Sequence, residues 1–227
     1  EDEPINTPAP FRGAMADIVA HTLATSTKPQ PELALLSAVI AMASCCPGSY
    51  YLRMGGMRPN IYGLGIGESG CGKDNPRVVA AAIVRAAGGR VLAKPASGQG
   101  LEDELISKTP MLLEIDEGAH MFQELNGKDA SSGTVALARL ILMLFSGSRG
   151  TYSTRAKAKG QNKGHSGIRD LVNPMLNMLA FSTPSKLSEV LSTSNIEDGL
   201  LGRFLYAAGR ERVKPAFVEN QEIPESI

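Results

Sequence analysis

Short apolar runs alternate along the chain with longer segments whose apolar residues recur at helical spacing. The short runs predict β-strands at residues 61–66, 90–93, 111–115, 174–181 and 204–208. The longer segments predict α-helices at residues 15–23, 31–46, 77–87, 100–107, 135–145 and 186–191. Strands that alternate with helices favour an α/β fold in which helices cover both faces of a parallel sheet.

The predicted elements divide the chain into a central domain and two flanking pieces. Residues 1–30 combine an acidic, proline-rich linker with a short helix, residues 31–212 form the α/β domain, and residues 213–227 are a tail rich in Pro and Glu. The chain starts within linker-like sequence and without Met, which indicates that it was cut from a longer protein. The apolar runs at 33–46 and 135–145 are shorter than the roughly 20 residues that span a bilayer, so we interpret them as buried helices.

Composition narrows the class of protein without indicating a partner. Hydrophobic residues make up 43% of the chain and charged residues 20%, which is enough for a sizeable core. Because 23 basic residues balance 23 acidic ones, only the distribution of charge can point to a partner. The three cysteines and three histidines lack the spacing of a zinc site, and the odd number of cysteines indicates reduced thiols in the cytoplasm.

A glycine-rich segment between a predicted strand and a predicted helix fits the phosphate-binding pattern G-x-x-x-x-G-K. In that context backbone N–H groups and the helix N-terminus bind the phosphates of ATP, and the lysine reaches the β- and γ-phosphates. The alternative is a plain glycine-rich turn before a helix. The residues expected to contact the nucleotide are Gly67, Glu68, Ser69, Gly70, Cys71, Gly72, Lys73, Asp74 and Asn75.

Asp74 departs from the usual pattern, in which Ser or Thr follows the lysine and supplies a hydroxyl to magnesium. A carboxylate is a suitable ligand for Mg²⁺, so we interpret Asp74 as a direct or water-mediated magnesium ligand. The alternative is a weakened site that binds nucleotide but hydrolyses it slowly.

The predicted strand at 111–115 runs directly into Asp116 and Glu117. Because ligands bind beyond the carboxyl ends of parallel strands, we expect Asp116 to hold magnesium and Glu117 to orient and deprotonate the attacking water. The alternative is a strand that ends at the surface. Glu114 lies within the strand and has no assigned role, although it would be the substitute base if Glu117 were not one.

Two further groups are candidates for contact with the γ-phosphate. Ser182 and Thr183 end the strand at 174–181 and are expected to bind the phosphate or the attacking water, the alternative being a helix N-cap. Arg203 lies in a glycine-flanked turn, and we expect it to stabilise phosphoryl transfer in the site of a neighbouring subunit. The alternatives for Arg203 are a surface position or an ion pair with Asp198.

A basic stretch is the main charge asymmetry of the chain. Residues 130–169 contain no Asp or Glu but many basic residues and several glycines, which favours a flexible loop that follows a nucleic-acid backbone. Tyr152 is the aromatic residue of this loop expected to stack on bases. The alternative is a solvated loop. The expected phosphate contacts are Arg149, Arg155, Lys157, Lys159 and Lys163.

Taken together, these segments resemble a family of P-loop ATPases encoded by bacteriophages and prophages, which are replicative-helicase-like and associated with primases. The resemblance covers roughly residues 31–212 and rests on four segments, at 67–76, 97–105, 113–118 and 199–204. Its last segment also resembles the arginine-finger segment of hexameric AAA+ helicases.

The resemblance implies an AAA+-like fold with Mg²⁺ and ATP as ligands, a RecA-like core being the alternative. It further implies a homo-oligomeric ring, expected to be a hexamer, that acts on single- or double-stranded DNA in the cytoplasm of a bacterial host, with a primase or other replication proteins as partners. The expected function is the motor domain of a DNA helicase or translocase. The alternative is an assembly module, similar to a helicase loader, with slow or no hydrolysis.

Overall fold

The computed structural model describes residues 12–53, 55–126, 131–154, 170–190, 199–211, 213–218, 222–224 and 227. The helices in this part of the chain are α1 (Ala14–Ala24), α2 (Pro31–Cys45), α3 (Asp74–Ala86), α4 (Gly98–Ser107), α5 (Gly118–Asn126), α6 (Ser132–Gly147) and α7 (Pro184–Val190). The strands are β1 (Tyr62–Ile66), β2 (Arg90–Leu92), β3 (Met111–Ile115), β4 (Thr151–Ser153), β5 (Asp170–Val172), β6 (Leu176–Ser182) and β7 (Phe204–Ala208).

Five strands form one sheet in the order β2-β3-β6-β1-β7. Every neighbouring pair in this sheet is parallel, which confirms the predicted parallel sheet. Ile66 at the end of β1 pairs with Ser182 of β6 and Ala208 of β7. The carboxyl ends of these strands therefore lie along one edge of the sheet.

Helices cover both faces of the sheet, as the alternating pattern predicts. On one face α1, α2 and α3 pack on β3 and β6 around a buried cluster that includes Leu33, Ile40 and Leu179. Helices α4 to α7 pack on the other face around Leu101, Phe122 and residues of the same strands. No helix in the described ranges is long and apolar enough to cross a membrane.

The direction in which the chain leaves the sheet changes between the neighbouring strands β6 and β1. After β1 the chain enters α3, on the face that α1 and α2 also cover. After β3 and β6 it enters α5 and α7, which lie on the opposite face. A crevice opens where neighbouring loops depart in opposite directions, and in open α/β sheets this is where ligands bind. The fold therefore places a crevice at the carboxyl ends of β1, β6 and β3.

The structure adds two features to the predicted elements. The first is helix α5, which was not predicted from the sequence. Its residues Ala119, Phe122 and Leu125 are buried at a three-residue spacing that suits a helix packed on the core. The basic stretch at 130–169, predicted as a flexible loop, contributes β4, which pairs antiparallel with β5. Strand β5 begins at Asp170, just beyond that predicted segment.

Candidate functional site

The segment 67–73 joins β1 to α3 and needs glycine at two positions. Gly70 and Gly72 have φ angles of 70° and 101°, which side chains other than glycine rarely adopt. A Cβ on Gly72 would also lie 2.2 Å from the carbonyl oxygen of Lys28. The loop begins with a hydrogen bond of 3.0 Å from the Gly67 N–H to the Ser182 carbonyl, which fixes it to the end of β6.

The tip of this loop has donors available for an anion. Within the described residues, the backbone N–H groups of Ser69, Gly70 and Gly72 have no hydrogen-bond acceptor. They immediately precede α3, whose N-terminus adds positive potential. Backbone N–H groups that converge at a helix N-terminus suit a phosphate or other anion.

Two residues outside the glycine-rich segment hold the loop in place, and sequence reasoning missed both. The buried amide of Gln30 donates to the Cys71 carbonyl at 2.7 Å and to the Arg210 carbonyl at 3.0 Å, and its oxygen accepts from the Arg210 N–H at 2.7 Å. Lys28 Nζ donates to the Gly70 carbonyl at 2.6 Å. Gln30 thus connects the loop to the residues that follow β7, 180 positions away in the chain.

Replacing Gln30 with alanine should loosen the loop. The substitution leaves the buried Cys71 carbonyl and the Arg210 N–H without a partner, which costs about 1–3 kcal/mol in unfolding free energy. Urea unfolding followed by circular dichroism measures the effect. Lys28→Ala is the matched control, because it removes an exposed hydrogen bond to the same loop and should cost less than about 1 kcal/mol. Equal losses in the two variants would show that Gln30 is not a specific connector.

The residues that follow the loop start helix α3. Lys73 is half-buried at the N-cap position and Asp74 is exposed as the first helical residue. Asn75, predicted to contact the nucleotide, donates instead to the Thr22 carbonyl at 2.8 Å and to the Thr25 hydroxyl at 3.2 Å. In the structure Asn75 therefore holds α3 against α1.

Asp116 and Glu117 follow β3 directly and extend into solvent at the crevice edge, with side chains 61% and 60% exposed. Arg77 Nε lies 3.6 Å from an Asp116 carboxylate oxygen. Glu117 Oε1 accepts a hydrogen bond of 3.0 Å from Lys186 Nζ of α7. This hydrogen bond and the charge of Lys186 lower the pKa of Glu117, with smaller contributions from the charges of His120 and Lys73.

Glu114, which had no assigned role, forms an ion pair with Arg77 and lies 3.8 Å from Arg85 Nη2. Both arginines belong to α3, so the carboxylate joins β3 to α3. Its side chain is largely buried, and its two carboxylate oxygens face Arg77 and Arg85. The contacts therefore assign Glu114 a structural role.

Ser182 and Thr183 lie at the end of β6, between β1 and β3. The Ser182 side chain is buried and its hydroxyl is 3.3 Å from the Thr183 carbonyl. The Thr183 carbonyl also accepts from the Leu187 N–H at 3.0 Å, and its hydroxyl is 3.4 Å from that of Ser185. Thr183 thus starts α7, while its hydroxyl lies at the same sheet edge as the glycine-rich loop.

Two clefts open at this end of the sheet, one beside the acidic pair and one beside the glycine-rich loop. One of about 470 Å³ is lined by residues of β3, α3 and α5, among them Arg77, Asp116 and Glu117. The other, of about 500 Å³, lies between the loop and the chain that follows β7, where Lys28, Ser69 and Lys214 are part of its wall. Each of these volumes is in the range of small-molecule sites.

The described residues contain no group of three or more His, Cys, Asp or Glu side chains that could hold a metal alone. Asp74 and Asp116 are nevertheless both exposed, and the contact of Asp116 with Arg77 is a distant one of 3.6 Å. Mg²⁺ typically takes one or two carboxylates and completes its shell with substrate phosphates and water. The donor set fits magnesium delivered together with a phosphate ligand.

Arg203 lies at the opposite end of the strands from the glycine-rich loop, just before β7 begins. It ends a short 3-10 turn (Leu201–Arg203) immediately before β7, whose first residue pairs with Tyr62 at the start of β1. Its guanidinium donates to the Gly199 carbonyl at 2.5 Å and lies 5.8 Å from the ring centre of Phe145. Asp198, the alternative ion-pair partner, is outside the described residues.

The basic stretch is only partly within the described residues. Arg149 is exposed just after α6. Tyr152 is half-buried, packs on the core and donates its hydroxyl hydrogen to buried Glu102, so it is not the free stacking residue that the sequence predicts. The other predicted phosphate contacts, Arg155, Lys157, Lys159 and Lys163, lie outside the described residues.

Comparison with known proteins leaves the geometry as the basis for inference. No protein-family model matches this chain, and a search of the curated proteins finds no similar one.

Proposed function

We propose that the chain binds Mg-ATP in the crevice at the carboxyl ends of β1, β6 and β3 and hydrolyses it. The observation that carries the proposal is the adjacency of these three strands, whose ends supply the glycine-rich loop, the Ser182–Thr183 hydroxyls and the Asp116–Glu117 pair. These residues are separated by up to about half of the chain, so their meeting at one switch point is unlikely for unrelated turns. We further propose that hydrolysis drives a DNA helicase or translocase.

The fold class that we propose is a P-loop NTPase of AAA+ type, a RecA-like core being the alternative. The AAA+ type is supported by β2, the single short strand that lies in sequence between the glycine-rich loop and the Asp116–Glu117 pair and forms an edge strand of the sheet. The α1–α2 pair is the helical N-terminal part that accompanies the sheet on the α3 face.

Binding would use the free N–H groups of the loop together with Lys73. The ammonium group of Lys73 would contact the β- and γ-phosphates, and the N-terminus of α3 adds a favourable field. Asp74 and Asp116 would hold magnesium, directly or through water. When bound, Mg²⁺ supplies neutralisation of the phosphate charge.

Hydrolysis would use Glu117 as the base. A water attacks the γ-phosphorus, Glu117 accepts a proton from that water, and the bond from the γ-phosphorus to the bridging oxygen of ADP breaks. Thr183 and Ser182 would orient the water or the γ-phosphate. Lys186 binds Oε1 of Glu117, so the other carboxylate oxygen of this exposed side chain would take the proton.

Replacing Lys186 with alanine should shift the pH dependence of hydrolysis. Lys186 lowers the pKa of Glu117, so its removal raises that pKa towards the ordinary value. The base is then protonated at a higher pH, and the acidic limb of the kcat/KM profile moves to higher pH. Ser188→Ala, an exposed change on the same helix, is the control. An acidic limb at the same pH in both variants would show that Lys186 does not influence the group that accepts the proton.

Replacing Lys73 with alanine should weaken ATP binding. A hydrogen bond to a charged group contributes about 1.5–3 kcal/mol, so Kd for Mg-ATP should rise roughly 10- to 100-fold. Isothermal titration calorimetry with the full chain measures it. Arg85→Ala, a basic residue at the far end of the same helix, should leave Kd unchanged. Equal affinity of Lys73→Ala and wild type would remove Lys73 from the site.

A second candidate is a nucleotide-binding assembly module, similar to a helicase loader, that turns ATP over slowly or not at all. Two observations favour it. The hydroxyl normally supplied to magnesium is replaced by Asp74, and Glu117 is held by Lys186 at 3.0 Å. The module predicts ATP-dependent oligomerisation without phosphate release.

We propose a homo-oligomeric ring, expected to be a hexamer, in the bacterial host cytoplasm, with a primase or other replication protein as partner. Arg203 supports the ring, because its own crevice lies at the other edge of the sheet and the guanidinium can serve only a neighbour. The basic composition of residues 130–169 supports DNA as the polymer along which the motor moves.

A further inference from the structure

The connection between α2 and β1 exposes large side chains that the core does not use. Tyr50, Tyr51 and Leu52 are 64%, 59% and 61% exposed. They lie in consecutive positions before the amino end of β1, at the sheet edge opposite the crevice. We call this set the 50–58 surface. Its exposed members are Tyr50, Tyr51, Leu52, Arg53 and Met57, and its half-buried member is Arg58.

The 50–58 surface is held by defined contacts. The Leu52 N–H donates to the Met57 carbonyl at 2.8 Å, which closes a turn that contains Gly55 and Gly56, both with positive φ. The Arg58 guanidinium lies 5.7 Å from the ring centre of Tyr51 and also donates to the Gly48 carbonyl. The Tyr51 ring is therefore pre-positioned, which lowers the entropy lost when a flat ligand stacks on it.

The charge near these rings is positive. Residues 33–67 contain no Asp or Glu, and Arg53 is exposed beside the two tyrosines. Arg149, from the end of α6, approaches the same turn, with Nη1 3.9 Å from where a Cβ of Gly55 would lie. Two segments that are distant in sequence thus place arginine side chains at the turn that directly follows the exposed tyrosines.

We propose that the 50–58 surface, together with Arg149, binds single-stranded nucleic acid. Bases stack on Tyr50 and Tyr51, because every base has a flat π-face, and the backbone phosphates pair with Arg53 and Arg149. A surface for a purely apolar partner would not need arginines interleaved with the rings. This surface lies at the amino ends of the strands, away from the ATP crevice, so we expect it to bind nucleic acid without nucleotide.

The test is fluorescence anisotropy with labelled oligo(dT) of about 30 nucleotides, titrated with the full chain in the absence of ATP. The double variant Tyr50→Ala/Tyr51→Ala loses a stacking partner for two bases, so it should bind roughly 30-fold more weakly or worse. Tyr50→Phe/Tyr51→Phe keeps both rings and should stay within about twofold of wild type. Phe217→Ala is the control for loss of an exposed ring, because Phe217 is 94% exposed but lies away from the 50–58 surface. Its neighbour Ala216 donates to the Thr27 carbonyl, beside the ATP crevice. This variant should bind oligo(dT) as wild type does.

The salt dependence of oligo(dT) binding distinguishes the phosphate contacts of the arginines from base stacking on the tyrosines. Arg53→Gln and Arg149→Gln should each reduce the slope of log Kd against log salt by about one, because one fewer counterion is released. The tyrosine variants should leave that slope unchanged while they weaken binding. Unchanged slopes in both arginine variants would contradict the phosphate contacts and overturn the proposal.

Two other results would overturn the inference. The first is wild-type oligo(dT) affinity in the double tyrosine-to-alanine variant. The second is a loss of self-association in that variant, measured by mass photometry, with unchanged oligo(dT) affinity, which would make the surface a contact between copies of the chain. ATP titrations on the same variants distinguish the two proposals, since failure of the 50–58 surface leaves ATP binding intact.

Discussion

Replacing Arg203 with alanine should lower ATP hydrolysis by roughly 10³-fold while ATP binding by each subunit stays largely intact. The physical reason is the position of Arg203. It precedes Phe204, which pairs with Tyr62 at the start of β1, whereas the glycine-rich loop follows Ile66 at the end of that strand. At roughly 3.3 Å per residue the strand alone separates the two by about 13 Å. This separation keeps Arg203 away from the crevice of its own subunit, so we propose that its guanidinium lies in the site of a neighbour.

A mixing experiment distinguishes action on a neighbour from a structural role. Arg203→Ala subunits are mixed with Lys73→Ala subunits, and phosphate release is measured across mixing ratios. Each variant alone should be nearly inactive, but in mixed rings some intact loops meet an intact Arg203, so activity should partly return. Lack of recovery at every ratio, with mixed assemblies verified by mass, would contradict the transfer of Arg203 between subunits.

The local contacts of Arg203 require a stability control. Arg203 donates to the Gly199 carbonyl and stacks over Phe145, so alanine also removes contacts within its own subunit. Thermal unfolding of Arg203→Ala and Arg203→Lys separates the two effects, because lysine keeps the charge but loses the planar fork that a phosphate recognises. A large fall in Tm together with lost ATP binding would indicate a structural arginine.

Replacing Glu117 with glutamine should leave ATP bound while hydrolysis falls by roughly 10²-fold or more. Glutamine keeps the shape of the side chain but cannot accept the proton of the attacking water. The exposed position of Glu117 at the end of β3 makes an indirect effect on folding small. Its contact with Lys186 is partly kept, because the amide oxygen still accepts a hydrogen bond.

Glu114→Gln is the matched control for this experiment. It makes the same chemical change three residues earlier on β3, where the carboxylate pairs with Arg77 and Arg85. It should lower stability, since one partner of a largely buried ion pair is lost, while hydrolysis per folded subunit stays within about twofold of wild type. Normal turnover by Glu117→Gln would show that a different group accepts the proton.

Local signals predicted the sheet and its loops well. Each of the five predicted strands is present within about two residues of its predicted bounds, because buried parallel strands appear as short apolar runs between turn residues. Helix α3 starts at Asp74 rather than at residue 77, since Pro76 suits the first turn of a helix. The sequence also indicated that the glycine-rich loop and the acidic pair follow strands, which places them at one edge.

Contacts between distant residues were beyond local reasoning. No periodicity connects Gln30 to Arg210, or Lys186 to Glu117, because each pair meets only after the sheet has assembled. Tyr152 seemed available for stacking, but the fold brings Glu102 of α4 to its hydroxyl. Such pairings depend on how helices pack on the sheet, which a pattern along the chain does not encode.

The central claim is tested most directly by phosphate release from Mg-ATP by the wild-type chain, measured with and without single-stranded DNA. An ATP-driven motor predicts magnesium-dependent release that single-stranded DNA accelerates and that Glu117→Gln lowers by roughly 10²-fold or more. ATP that binds without any phosphate release, whether or not DNA is present, would contradict the motor and leave the assembly module.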